Sequence, residues 1–249
     1  MEGAEIMLCR AVAGLVAISC LTGPASAQSL EEVVARAIQA RGGLEKIRAV
    51  ESVRMVGHMT PPIEGAPEAA ITLEMKRPRL SRFELTAEGV TGVQAYDGQR
   101  AWGIPPSPGA KPAPLPEEMA KDLLNQAHID GPLVDHVAKG HKLALVGRET
   151  VDGRDAFRLE VRFAGGDVLY VLIDARSYLE LRNETRRIVN GTPLEAVTRF
   201  SDYREAGGVL WPFRIEIGPK GVPEKQVVRF DSVLVNAAIG DERFRMPSR

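Results

Sequence analysis

The sequence predicts a mainly β protein of α+β type: an unclosed antiparallel β-barrel of about eleven strands with helices covering its concave face. Three observations point there. From residue 53 onward apolar side chains recur with a period of two. The runs are separated by glycine-containing pairs of the hairpin type, and two stretches of helical period interrupt them, one at the start and one in mid-chain.

Taken in order, Ser29 followed by Glu32 forms a capping-box pattern, and Leu30, Val33, Val34, Ala37 and Ile38 share one helical face before Gly42-Gly43 stops the run. Leu44 to Ala49 adds about one more turn. Alternation then begins with Val53, Met55 and Met59 and continues through Ile71, Leu73 and Met75, then Phe83 and Leu85. Its clearest instance is Phe157, Leu159, Val161 and Phe163 against Arg158, Glu160 and Arg162. Asp97-Gly98, Asp152-Gly153, Gly165-Gly166, Asn190-Gly191 and Gly207-Gly208 supply the positive φ angles of tight turns, so the strands they join are antiparallel neighbours.

The interruption spans residues 104–137. The run from Ile104 to Pro116 is too rich in proline for a central strand, because proline lacks the N–H that a ladder needs. It leads into a helix over Glu117 to Gln126 with Met119, Leu123 and Leu124 on one face, and Gly131-Pro132 opens a second short helix around Leu133 to Val137. A twisted sheet of this size curls, and its concave face must be filled or covered. Helices that cover it imperfectly leave a ligand cavity.

Met7 to Ala27 reads as an export signal, with Arg10, an apolar run from Ala11 to Leu21, and a cleavage site after Ala27 at Ala25-Ser26-Ala27. That run is far shorter than the roughly twenty residues of a membrane-spanning helix. Acylation at Cys20 is the less favoured alternative, since Ala17 stands where a lipoprotein signal carries Leu. The expected location is the periplasm, and residues 28–249 form a single domain. Cys9 and Cys20 both fall inside the signal, so the processed chain has no thiol for disulfides, thiolate metal sites or nucleophilic catalysis. Removing Glu2 and Glu5 from 33 acids and Arg10 from 32 bases leaves 31 of each, a balance that offers nucleic acid no broad attraction.

Chemistry-bearing motifs are missing. G-x-S-x-G, H-E-x-x-H, the P-loop and G-x-G-x-x-G do not occur. His128, His136 and His141 lie near Asp130 and Asp135, but their spacing matches no metal motif, and histidines on a polar helix and the following strand are the plainer reading. No catalytic residue, metal or cofactor is expected. Rings are few, with two Trp, four Tyr and seven Phe, and the apolar stock is aliphatic, which suits acyl chains better than flat ligands.

Lys76-Arg77-Pro78-Arg79-Leu80-Ser81-Arg82-Phe83, followed by Gln94-Ala95-Tyr96-Asp97-Gly98-Gln99-Arg100-Ala101-Trp102, resembles the K-R-P and D-G-x-x-x-W strands of the LolA/LolB-like lipoprotein-localisation family. The resemblance extends to the order of elements. It implies a half-barrel with a helical lid, a cavity for acyl chains, and a monomer that takes lipoproteins from an inner-membrane exporter to an outer-membrane acceptor. It also implies that Arg77 latches the lid by hydrogen-bonding to lid backbone. The stretch from Gly131 to Phe163 has no counterpart in the shorter carriers and points to the wider set of LolA-like envelope proteins.

The expected cavity is the concave face, with Met55, Leu73, Met75, Phe83, Leu85 and Trp102 as lining candidates and Met119, Leu123 and Leu124 on the lid. Alternation does not say which face is concave. The cargo is an acylated lipoprotein or another lipid; a rival reading is an envelope sensor or scaffold that docks a protein partner on the same half-barrel.

Overall fold

The computed structural model describes residues 28–189 and 192–247. Helices α1 (Leu30–Ala40) and α2 (Leu44–Arg48) precede six strands: β1 (Ser52–Thr60), β2 (Ala69–Lys76), β3 (Leu80–Ala87), β4 (Val90–Tyr96), β5 (Ala101–Ile104) and β6 (Ala113–Pro114). Helix α3 (Glu117–Gln126) then leads to β7 (Lys142–Val151), β8 (Arg154–Arg162), β9 (Val168–Asp174), β10 (Glu180–Val189), β11 (Thr192–Ala206), β12 (Val209–Pro219) and β13 (Gln226–Val235). A short 3-10 turn, Asp241–Phe244, follows.

All thirteen strands form one antiparallel sheet, in the order β6-β5-β4-β3-β2-β1-β13-β12-β11-β10-β9-β8-β7. Two meanders are thus joined through the first and last strands, and the free edges are β6 and β7. The curl does not close into a barrel. Because β6 and β7 are consecutive in sequence, the segment that connects them, residues 115–141, is the one available to bridge the open seam.

The expected half-barrel is present, with thirteen strands in place of about eleven. One of them, β6, is a two-residue edge strand inside the proline run, where a missing N–H costs the ladder nothing on the outward side. The capping box is complete: Ser29 Oγ accepts from the Glu32 N–H, and Glu32 accepts from the Ser29 N–H. The short helix expected at Leu133 to Val137 does not form. Gly131 has φ 76° and Asp135 φ 50°, left-handed values that break a right-handed helix, and the segment is a series of turns.

Register fixes the faces. Val53, Met55, Met75, Phe83 and Leu85 share the inner face with Trp211, Phe213, Val228 and Phe230 around one core, into which Ile47, Ile129 and Val134 also pack. Farther round, Phe157, Leu159, Val161, Val171 and Ile173 meet Val33, Val34 and Ala37 of α1. The two ends of the half-barrel differ. At the base, where β2 turns into β3 and β11 into β12, α1, α2 and residues 128–134 stopper the curl. There Leu210 donates its N–H to the Arg41 carbonyl at 2.8 Å, and Gly42, at φ 130°, lies so close that a Cβ would stand 2.3 Å from the Gly208 oxygen. Toward the opposite rim, where the β1–β2, β3–β4 and β12–β13 hairpins lie, the inner residues Met59, Leu73, Phe83, Leu85 and Ile215 are only partly buried. The fold is a cup filled at its base.

Candidate functional site

A hollow of about 430 Å³ opens between β3–β6 and the proline-rich segment, within the size range of small-molecule sites. Phe83 and Leu85 form its floor, Ile104, Pro105 and Pro106 one side, and Leu115, Pro116 and Met119 its roof. Two inner-face glycines let the roof approach the sheet. A Cβ on Gly92 would meet Pro106 at 3.0 Å, and one on Gly103 would meet Leu115 at 2.9 Å. The walls are almost wholly apolar, with Gln94 the polar side chain among them.

The remaining expected residues separate into groups. Met55 and Met75 are buried in the main core and Leu73 packs half-buried against it, so these three lie on the same inner face but outside the hollow's lining. Leu123 and Leu124 pack with Leu115 and Ala120 on Tyr96 and Ala101, which seats α3 on β4 and β5. Trp102 is on the other face. It pairs with Ala95, which pairs with Arg82, and its indole N–H donates to the Phe244 carbonyl at 2.8 Å beneath the 3-10 turn, at 1% exposure. Trp102 therefore belongs to the outer packing, with the Arg82 guanidinium over its ring, and is corrected from a cavity position to a structural one.

Arg77 binds three acceptors: the carbonyls of Val50 at 2.8 Å and Ile47 at 3.1 Å, and Asp130 Oδ2 at 3.0 Å. The carbonyls belong to the end of α2, and the insert is reached through the Asp130 carboxylate. Asp130 is 3% exposed and also receives the Lys139 ammonium, while its backbone carbonyl accepts from Arg41 at 3.1 Å. The bond to lid-helix backbone is made by Arg79, whose Nη2 donates to the Leu124 carbonyl at 3.2 Å in the last turn of α3. Arg79 also lies over the Tyr96 ring, and its Nε is buried without a partner among the described residues. Of the two arginines flanking Pro78, Arg77 thus contacts the end of α2 and Asp130 while Arg79 contacts α3, and the second was present in the same motif.

Burial pushes the Asp130 carboxyl up, but the Lys139 and Arg77 charges and hydrogen bonds outweigh it and hold the group below its ordinary range. His128 is lowered to about 4, by burial first and then by the positive charges of Lys139 and Arg79. His141 is lowered chiefly by burial; it sits edge-on to Phe163 at 4.9 Å. These histidines are packing groups in neutral form. Among the described residues no group of three or more His, Cys, Asp or Glu is placed to hold a metal ion, and no helix is long and apolar enough to cross a membrane. The segment expected to direct export lies outside the described residues.

No protein-family model matches the chain, and no curated protein does. Solved structures do. A LolA superfamily protein from Nitrosomonas europaea superposes with a TM-score of 0.58 at 15% identity, over 88% of this chain and 98% of that one. The two chains share one fold. A putative outer membrane lipoprotein-sorting protein domain from Vibrio parahaemolyticus matches with a TM-score of 0.58 at 12% identity, over 86% and 96% of the two chains. A DUF1329 family protein from Desulfovibrio piger matches with a TM-score of 0.62 at 12% identity, over 88% and 98%. The resemblance read from Lys76–Phe83 and Gln94–Trp102 is thereby borne out as a LolA-like fold, which at this identity is all that the superpositions carry.

Proposed function

We propose that this chain is an exported binding protein of the cell envelope that takes an acyl chain, of a lipoprotein or another lipid, into the hollow beneath α3, and performs no chemistry on it. The observation that carries this reading is the apolar hollow itself, roofed by a segment whose hold on the sheet is a handful of polar ties and one half-buried helix face. Each methylene moved from water into such a site contributes about 0.8 kcal/mol, so about ten supply the roughly 8 kcal/mol of micromolar binding. The roof can swing at the proline-rich run, and the Arg79–Leu124 bond is remade when it returns. An inner-membrane donor and an outer-membrane acceptor fit as partners, with the chain acting as a monomer.

Native mass spectrometry of protein purified from the envelope is the test. Co-purified lipid, released under gentle activation, is the expected result. A protein that is always empty and always accompanied by the same second polypeptide would overturn the carrier in favour of a sensor or scaffold. The intact mass also reads the cleavage after Ala27 against an acyl group on Cys20.

A further inference from the structure

The inner face carries a second wall that apolar cargo does not require. On β10 and β11 the ladder pairs Asn183 with Thr198 and with Val171, and Thr185 with Ala196 and Leu169, so Asn183, Thr185 and Thr198 face inward beside the α1-covered core. Glu180 pairs with Ile173, a core residue of that same face. Its carboxylate receives one long hydrogen bond, from Asn183 Nδ2 at 3.4 Å. The Oδ1 of Asn183 is buried with no donor among the described residues. Arg41, whose charge acts on Glu180, gives its Nη1 to the Asp130 carbonyl and lies over the Trp211 ring, and the nearby Tyr203 hydroxyl donates to the Glu180 backbone carbonyl at 2.9 Å.

Both side chains keep part of their accessible surface. Yet burial dominates at Glu180 and pushes its carboxyl up, against the opposing Arg41 charge and the Asn183 bond. The ladder places both residues on the inner face. Buried acceptors that lack donors are costly, and cores of this kind otherwise hold apolar residues. On the outer face of the same strands the buried carboxylate is paired: Glu184 receives Arg182 at 2.8 Å and Lys220 at 3.1 Å, and the orphan there is a donor, Arg182 Nε.

We propose that Glu180 and Asn183 form a headgroup site for an amphiphile that presents hydrogen-bond donors, an ammonium or amide N–H, and that this site selects against anionic heads. This rests on the carrier reading and adds the class of lipid. The chemistry follows from the inventory: the orphan Asn183 Oδ1 and a Glu180 carboxyl that holds a single long hydrogen bond attract donors and disfavour phosphate or carboxylate. Apolar residues of β1–β5 take the tail on the facing wall of the same inner surface.

The experiment compares dodecylamine with dodecanoate, both below their micellar concentrations, by calorimetric titration of the processed chain at neutral pH. The amine is expected to bind at least tenfold more tightly, and Glu180→Gln should reduce that ratio to about one while leaving dodecanoate binding as strong or stronger. Asn183→Leu, which removes the orphan acceptor and the long bond to the carboxyl but leaves the carboxyl in place, should lower amine affinity several-fold with the fold retained by circular dichroism, and it stands in if Glu180→Gln fails to fold. Equal affinity for the two heads in the parent, or a preference that survives Glu180→Gln, overturns the headgroup site alone. Binding of neither probe overturns the carrier reading with it.

Discussion

Asp130 joins three cations at the base of the cup, and its removal shows how much the closure depends on one carboxylate. In Asp130→Asn the buried Lys139 ammonium and the Arg77 guanidinium lose their counter-charge, at a cost on the order of 3 kcal/mol, read as a lower urea midpoint. A midpoint within error of the parent would show that water replaces the carboxylate. Acid should weaken the protein before Asp130 is reached. A histidine lowered to about 4 contributes stability that is complete above its unfolded value near 6.5 and is lost as pH falls from there to about 4; Asp130 contributes above the ordinary carboxylate range and fades only below it. Urea midpoints should therefore fall between pH 6.5 and 4, and His128→Gln should flatten that slope; an unchanged slope would place the proton uptake elsewhere. At this scale the sequence was only partly legible. Arg77 drew attention through a family likeness, whereas Asp130, seen only beside the histidines, and Arg79, present in the same motif, drew no role, because the Arg77–Asp130 and Arg79–Leu124 bonds join residues far apart in the chain and no local spacing encodes them. Trp102 was misplaced for a related reason: the turn at Asp97–Arg100 pairs Tyr96 with Ala101, which puts Trp102 on the outer face, and the register of a four-residue turn is not written in the alternation.

Elements were more legible than residues. The strands announced themselves through alternation and hairpin pairs, and α3 through Met119, Leu123 and Leu124, because a period of two or of 3.6 is local information. The β1–β13 pairing was not legible, since it joins the two ends of the domain and depends on the curl of the whole sheet. In the proposed function binding turns on helix α3, whose hold is modest: a half-buried face on Tyr96 and Ala101, one carbonyl held by Arg79, and a long bond from Asn125 to Asp167. Leu124→Ala should cost about 2 kcal/mol, the lower end of the range for leucine truncation, because the side chain is only partly buried. Hydrogen exchange of the α3 amides should then be about tenfold faster for each 1.4 kcal/mol, with core strands unaffected. Uniform acceleration across the sheet would mean that α3 opens only with global unfolding. The two arginines separate here: Arg79→Leu should speed α3 exchange and apolar-dye entry, while Arg77→Leu should chiefly loosen α2 and the Asp130 turn. Dye-binding curves identical to the parent in both variants would remove the arginines from the gating.

For the whole molecule, the decisive feature is that the two meanders meet through their outermost strands in sequence order and leave β6 and β7 unpaired. A closed barrel of this size would fill or seal its interior; the open seam instead leaves the connecting segment as a roof over apolar residues that the base helices do not reach. That geometry makes occupancy a stability term. A ligand that binds only the folded cup adds about 2.7 kcal/mol at a hundred times its Kd, which for a domain of this length raises the melting temperature by roughly 5–10 °C. Dodecylamine should produce that rise in the parent. Phe83→Trp should abolish most of it, because Phe83 lies at the floor of the hollow and the larger indole occupies the volume the chain would take, while its inner-face position keeps the substitution apolar. The unliganded variant should melt within a few degrees of the parent. A shift as large in Phe83→Trp as in the parent would mean that the acyl chain lies elsewhere on the inner face, among Met59, Leu73 and Ile215, and that the space under the proline-rich run is not its binding site.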